Sequence, residues 1–446
     1  MNDFELQVFI YYSHTERNRN VEYVGEYSRN EKLLVFIACA LGWAFDAVGL
    51  TLINFVATDL MLEFGQNFDA VGFVFSAQYV ATVPGAILFG GLADRYGRKN
   101  LLLFSVLWDA ILTAATAFAP NFAVLAILRI LSGMGVSWGI AYALLGEVFS
   151  PKRRGLFGGL MHSMFLLGYI ISAAAALLIT PAFGWRPTFL VTLLAIPLIL
   201  VLYIALPESK LWQRVIEEEE KEESLGTSIT QVFRMGYGKL LVLSVVLFWA
   251  AEFAYHAIVD WGPTFLELEL SYTSSEASTI ILLISLVAML ILPAFGLLSD
   301  KVGRRISFIM SAVVGLIATI FLGIFAIAVP NNTLAVVSLF IIPAGFGSHA
   351  LFGVWASEMF PTKVRAAATS VIFSLARGLS FGGWFVGILA VAVGLSMGMM
   401  LAIIGFVLMV FLPFTLPETA GRDFEKLDAE SGSGGGIAIA NGEVTE

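Results

Sequence analysis

Apolar runs of about 20 residues, separated by short polar turns, follow one another along nearly the whole chain, and a helix of that length crosses the hydrocarbon layer of a bilayer. The pattern predicts twelve spans, near residues 32–58, 70–93, 100–119, 122–149, 155–180, 187–206, 240–266, 276–298, 305–329, 333–359, 366–393 and 395–416. Six lie on each side of a polar stretch at 207–239. The expected architecture is an all-α membrane protein with two six-helix bundles, 32–206 and 240–416, joined by that linker. Segments 1–31 and 417–446 are polar; the tail, with Ser431-Gly432-Ser433-Gly434-Gly435-Gly436, is too poor in apolar residues to pack and reads as disordered.

The two halves are related. The turn after span 2, Gly90-Gly91-Leu92-Ala93-Asp94-Arg95-Tyr96-Gly97-Arg98-Lys99-Asn100, returns 206 positions later as Gly296-Leu297-Leu298-Ser299-Asp300-Lys301-Val302-Gly303-Arg304-Arg305-Ile306. Trp43 and Asp46 recur as Trp249 and Glu252, at the same offset of 206. Glu147-Val148-Phe149 with Arg154 recurs as Glu358-Met359-Phe360 with Arg365, and Pro207-Glu208-Ser209 recurs as Pro417-Glu418-Thr419. Four matched landmarks in one order mark an internal repeat.

Composition narrows the function. The 446 residues are 58% hydrophobic and 13% charged, more apolar than a soluble fold of this size can cover. One cysteine, Cys39, rules out a disulfide framework, and the four histidines (His14, His162, His256, His349) form no ligand pair, so no metal or cofactor is expected. There is no P-loop for ATP and no nucleophile motif, so the chain does not read as an enzyme. The net charge of −9 collects in Glu217–Glu223 and the tail, which argues against a nucleic-acid partner. The first 31 residues lack a cleavable signal, leaving span 1 as the insertion signal.

Basic residues fix the expected orientation. They precede span 1 (Arg17, Arg19, Arg29, Lys32) and follow spans 2, 4, 8 and 10 (Arg95, Arg98, Lys99; Lys152, Arg153, Arg154; Lys301, Arg304, Arg305; Lys363, Arg365). Others lie in the linker (Lys210, Arg214, Lys221, Arg234, Lys239) and the tail (Arg422, Lys426). All share one side, so both termini are expected in the cytoplasm of a plasma-membrane protein acting as a monomer.

Twelve spans with a repeated D-x-x-G-R turn resemble the major facilitator superfamily, whose turn after span 2 matches Gly90 to Lys99. Arg129-Ile130-Leu131-Ser132-Gly133-Met134-Gly135 resembles that family's R-x-x-x-G-x-G element of span 4, often associated with proton-coupled members. The resemblance implies a transporter working by alternating access, of the metabolite:proton symporter type that carries carboxylates, sialate or aromatic acids. Physically, the turn glycines allow a tight reversal, and Asp94 can pair with an Arg of the other half. Asp94, Gly97, Arg98, Asp300, Gly303 and Arg304, with Glu147, Arg154, Glu358 and Arg365, are assigned to the conformational gate.

Ionisable groups at membrane depth cost ~2.5–3.5 kcal/mol on insertion scales, so each needs a partner, a cavity or a proton. Asp46 and Arg129 lie on antiparallel spans at heights differing by roughly 10 Å, within reach of a long side chain. Asp109 is an alternative partner for Arg129. Glu252, His256 and Asp260 follow i, i+4, i+8 and line one face of span 7 as a candidate proton path. With Thr264 they share the His, Asp and Thr of the span-7 motif of fungal lactate/pyruvate symporters, which the stripe resembles only at those positions. Asp46, Arg129, Glu252, His256 and Asp260 are the proton-coupling candidates.

Arg377 lies in Ala376-Arg377-Gly378-Leu379-Ser380-Phe381-Gly382-Gly383, which resembles the span-11 Arg-Gly element of aromatic-acid and organic-anion facilitators. A guanidinium matches a carboxylate bidentately, so Arg377 is the candidate anion ligand, with Glu252 or Asp260 as an alternative internal partner. Trp138, Tyr142, Trp249, Tyr255, Trp355 and Trp384 are candidate cavity aromatics; Tyr142, Trp249 and Tyr255, with Thr264, are assigned to substrate. His162 and His349 read as packing or helix–helix hydrogen-bonding residues rather than substrate ligands. The expected function is proton-coupled symport of a small organic anion, with the bilayer and a small molecule as partners. The Pro-Glu-Ser and Pro-Glu-Thr elements resemble those of sugar porters, so a sugar symporter is the alternative, and a substrate sensor signalling through the linker or the acidic tail is another.

Overall fold

The computed structural model describes residues 27–420 apart from Val136, Ser150, Leu211 and residues 214–231. The Glu217–Glu223 run, the tail beyond 420, and the side chains of Asp94, Tyr142, Glu147, Arg154 and His162 lie outside the described set. Among the described residues, twelve helices are long and apolar enough to cross a membrane: α1 (Arg29–Phe55), α2 (Phe68–Ala93), α3 (Arg98–Phe118), α4 (Phe122–Leu145), α5 (Ser163–Phe183), α6 (Trp185–Ala205), α7 (Gly238–Leu268), α8 (Ser274–Val302), α9 (Arg304–Ala328), α10 (Asn332–Glu358), α11 (Ala368–Val393) and α12 (Leu395–Thr415). Each falls on a predicted apolar run. Starts are set by local chemistry: Ser28 and Glu31 form a capping box on α1, and Thr273 and Glu276 form another on α8.

Several spans are interrupted, α7 among them at Asp260–Trp261, and three further interruptions place the chemistry. In α4 the helix stops at Gly133 and restarts at Trp138. In α10 a 3-10 turn, Gly347–Leu351, separates two helical pieces. In α11 the helix ends at Gly378 and resumes at Gly382 after Phe381, which holds a left-handed φ of 39°. A non-glycine residue there carries local strain.

The halves clasp one another on the face away from the termini. Asn54 Nδ2 of α1 donates to Asp260 Oδ1 of α7 at 3.3 Å, a bond between positions 206 apart and so equivalent in the repeat. Tyr169 donates to the Val259 carbonyl (3.1 Å), and Trp384 reaches Asp69 through its indole N–H (2.7 Å) and Ser76 through its backbone N–H (3.1 Å). Trp261 packs edge-on against Phe68 and Phe75 of the first half, at 5.6 and 5.0 Å between ring centroids.

On the termini face the repeat has a plain mechanical meaning. Gly97 and Gly303 adopt φ of 104° and 96°, a region that favours glycine, and each opens a helix, α3 or α9. Glu208 Oε1 accepts from Lys99 N (2.9 Å), while Glu418 accepts from Arg304 N (2.9 Å) and Arg305 N (3.0 Å). A Cβ on Gly303 would lie 2.7 Å from Glu418 Oε2. The Pro-Glu-Ser and Pro-Glu-Thr elements therefore put a carboxylate on a helix N-terminus, where free N–H groups and the helix dipole favour an anion.

Burial alone would push the Glu418 carboxyl up, but backbone N–H groups of Ala420, Arg304, Arg305 and Thr419 outweigh it and hold the group below the usual carboxylate range. A depressed pKa contributes stability that is present above the unfolded value and lost as pH falls through the folded one. Glu418→Gln is expected to lower stability by ~1 kcal/mol at neutral pH, the size of a lost helix cap. In thermal melts the gap to wild type should shrink on acidification below the ordinary carboxylate range; a gap constant with pH would show that charge plays no part.

The contacts at the second-half turn are local. Asp300 accepts from Arg304 Nη1 (2.5 Å), one turn along the same chain segment. Arg304 also grips Glu358 bidentately (3.1 and 3.0 Å), and Thr419 donates to the same Glu358 (2.6 Å). Arg365 Nε donates to the Phe360 carbonyl at 3.1 Å. These contacts brace α8, α9 and α10 within the second half.

Candidate functional site

In the first half, Asp46 is 1% exposed at mid-span in α1 and faces the break in α4. Its Oδ2 accepts from Ser137 N (2.6 Å) and Ser137 Oγ (2.7 Å). Ser137 caps the second piece of α4, so the carboxylate sits on the exposed N–H end of a half-helix. Asp46 Oδ1 has no hydrogen bond among the described residues.

The expected Asp46–Arg129 pair does not form. Arg129 is fully buried and donates to the Gly49 carbonyl (2.7 Å), Thr113 Oγ1 (2.6 Å) and Thr116 Oγ1 (3.1 Å). Thr113 in turn donates to Asp109 Oδ1 at 3.1 Å, so Asp109 is joined to Arg129 through a threonine. Asp109 packs where a side chain on Gly49 would collide with its carboxylate. The helix rotation that brings Thr113 and Thr116 under the guanidinium leaves Asp46 to the α4 break instead.

In the second half, the α7 stripe assembles as a chain of contacts. His256 lies 3.0 Å from Asp260 through Nδ1 and 3.5 Å from Glu252 through Nε2. Glu252 holds the repeat position of Asp46 and also faces a broken span: His349, in the 3-10 turn of α10, brings its Nε2 to 3.8 Å from Glu252 Oε1. His349, read from the sequence as a packing or helix–helix hydrogen-bonding residue, lines a cavity with Glu252, Tyr255 and Arg377. A signal for it existed, because Gly133-Met134-Gly135 at the α4 break returns as Gly345-Phe346-Gly347 just before it.

Arg377 sits at the end of the first piece of α11 and projects into the other half. Its guanidinium carbon lies 4.5 Å from the Phe165 ring, 5.4 Å from Trp43 and 5.9 Å from Tyr79. The carboxylate nearest to it among the described ion pairs is Glu252, with Nε 3.8 Å from Oε2, too long for a hydrogen bond, and its charge also reaches Asp46. Close backbone approach makes the arrangement possible: a Cβ at Gly382 would lie 2.5 Å from the Phe253 carbonyl, and one at Gly383 2.8 Å from Asp260 Oδ2. The cavity rises from these groups between Phe165, Leu166 and Tyr169 of α5 and an apolar wall of α8 and α10 that includes Ile281, Ile284, Leu339 and Ile342.

Sequence reading missed Tyr79 and Phe165, and used Trp43 only as a repeat landmark. Tyr79 is buried with its ring 4.1 Å from His256. Nothing in the local sequence of α2 or α5 separates these rings from lipid-facing ones. Of the aromatics assigned to substrate, Tyr255 lines the cavity, whereas Trp249 does not: its indole donates to the Leu379 carbonyl (2.7 Å) and braces the α11 break. Thr264 is buried beyond the cavity lining. Tyr142 lies outside the described side chains. Among the described residues no cluster of three or more His, Cys, Asp or Glu is placed to hold a metal ion.

Comparison with known proteins agrees with this architecture. Residues 37–383 match the family described as Major Facilitator Superfamily. The chain is 28% identical to a probable 4-methylmuconolactone transporter of Cupriavidus pinatubonensis, over 88% of this chain and 92% of that one. It is 24% identical to the cis,cis-muconate transport protein of Acinetobacter baylyi (87% and 93% covered) and 26% identical to a sialic acid transporter of Escherichia coli (84% and 92%). The xylose transporter of E. coli, in a partially occluded inward open conformation, superimposes with a TM-score of 0.72 at 17% identity, covering 88% of this chain and 100% of that one, a likeness of fold alone.

Proposed function

The chain belongs to the Major Facilitator Superfamily and is a multi-pass membrane transporter of a small molecule, not an enzyme; from that premise we propose that it carries a small organic carboxylate together with a proton by alternating access. The observation that supports this most is Arg377. A guanidinium that is nearly buried, makes no hydrogen bond among the described residues and is backed by three rings holds its donors ready for an anion. Two relatives carry muconate or sialic acid in their names, which points the same way.

Proton coupling is assigned to Asp46, with the Glu252–His256–Asp260 stripe as the second titrating group. In the first half, Asp46 and Asp109 are both buried and act on one another, while Arg129 is joined to Asp109 alone, through Thr113. Two buried carboxylates that repel one another favour a bound proton on one of them. Substrate between Arg377 and the rings of the first half would draw the two halves together around the midplane. The repeated turns, with Asp94, Gly97 and Arg98 matching Asp300, Gly303 and Arg304, are assigned to the gate, and the positive-inside pattern to cytoplasmic termini in the plasma membrane. We assign a monomer as the working unit.

With Glu208 and Glu418 acting as helix caps, the Pro-Glu-Ser and Pro-Glu-Thr elements speak to fold rather than to substrate, and a neutral sugar brings no counter-charge to Arg377. Uptake into proteoliposomes tests the assignment: with an inward proton gradient, at least one of a set of short, aromatic and sugar acids is expected to accumulate above equilibrium. Accumulation of a neutral sugar that acids do not inhibit would overturn it. Binding without accumulation would identify a sensor.

A further inference from the structure

Three polar atoms in the cavity wall have no hydrogen bond among the described residues: Glu252 Oε2, Arg377 Nε and His349 Nε2. They belong to one cluster, since Arg377 Nε and His349 Nε2 each lie 3.8 Å from a Glu252 oxygen. Glu252 is 4% exposed and His349 9%. A buried polar group left unsatisfied is costly, so atoms of this kind around a cavity mark what its occupant supplies.

The two faces of the cluster ask for different things. Arg377 offers donors and takes a carboxylate. Glu252 Oε1 and His349 Nε2 face each other as acceptors. The Nδ1 of His349 meets the Phe346 carbonyl at 3.1 Å, a carbonyl can only accept, and the proton of the neutral ring is therefore on Nδ1. Two acceptors cannot bond to one another, which accounts for the 3.8 Å gap. A substrate carboxylate does not fill that gap, because it is an acceptor too and carries the same charge as Glu252.

We propose that the substrate is an acid that carries its own hydrogen-bond donor, a hydroxyl or an N–H, on an otherwise apolar body. The donor inserts at Glu252 and His349 while Arg377 holds the carboxylate. Ile281, Ile284, Leu339, Ile342 and Phe346 receive the body. Glu252 and His349 are then the residues that select among acids. This inference rests on the carboxylate reading above and narrows it.

The test uses matched probes on the purified full chain: 4-hydroxybenzoate, mandelate and 3-hydroxybutyrate, each beside its O-methyl ether and its deoxy parent (benzoate, phenylacetate, butyrate). Binding is read by calorimetry. The best-bound hydroxy acid is expected to bind about tenfold or more tightly than both its ether and its parent, the size of a lost hydrogen bond to a charged group. In Glu252→Met that preference should collapse to near equality, and in His349→Phe it should fall in part. A hydroxy acid and its parent binding wild type equally would overturn the donor requirement and leave the carboxylate reading standing. An intact preference in Glu252→Met would overturn the assignment to Glu252. If none of these acids binds, the carboxylate reading falls and this inference with it. The wild-type comparison needs no variant, so a Glu252→Met protein that misfolds does not rescue the proposal.

Discussion

Arg377→Ala is expected to abolish transport and to reduce acid binding below detection, the largest effect of any single change in the site. The substitution removes the cation of the cavity, leaves Glu252 without its guanidinium neighbour, and empties the space between Phe165, Trp43 and Tyr79. Arg377→Lys separates charge from geometry. It keeps the positive charge and loses the planar fork, and a lost charge-assisted hydrogen bond is worth roughly 1.5–3 kcal/mol, about a tenfold to hundredfold in affinity. An uncharged amide of the same acid should bind wild type and Arg377→Ala about equally. Competition of acid against amide on the three proteins is the measurement. Acid binding left intact in Arg377→Ala would remove the main reason for an anionic substrate.

Asp46→Asn is expected to abolish uphill accumulation while leaving exchange. The Asn oxygen can still accept from Ser137 N and Oγ, so the contact at the α4 break survives, but the titratable proton is gone. Under an inward proton gradient the variant should equilibrate substrate and go no further, whereas counterflow, which needs no net proton movement, should continue at a rate near that of wild type. Accumulation at the wild-type level would show that Asp46 is not the coupling group and would move attention to Asp109 or to the α7 stripe. Loss of both accumulation and counterflow would instead point to a structural role for the Asp46–Ser137 contact.

The two carboxylates Asp46 and Glu252, at matched positions of the repeat, meet opposite solutions. Asp46 is held by a half-helix N-terminus in α4. Glu252 stands loosely among His256, His349 and Arg377. One half is thus built around a fixed ionisable site and the other around an open one. This asymmetry is the physical basis for placing the main coupling group in the first half, and substrate recognition beside the second titrating stripe in the other.

The sequence by itself determined the spans, the repeat and the small set of ionisable groups at membrane depth. These are local properties: an apolar run long enough to cross is visible without a fold, and a charge inside it is visible because it is costly there. It also revealed the Glu252–His256–Asp260 stripe, since i, i+4 spacing fixes one face of a helix whatever surrounds it. Partnership was decided only by the tertiary structure. Arg129 goes to Gly49, Thr113 and Thr116 instead of Asp46 because the rotation of α3 and α4 about their axes, which no periodicity in an almost wholly apolar span records, sets which groups face one another. The cage around Arg377 joins Trp43, Tyr79 and Phe165 from the other half of the chain, and His349 acquires its place from a break in α10. Helix breaks and cross-half contacts depend on close backbone approach between distant segments, and that is settled by packing the twelve spans together.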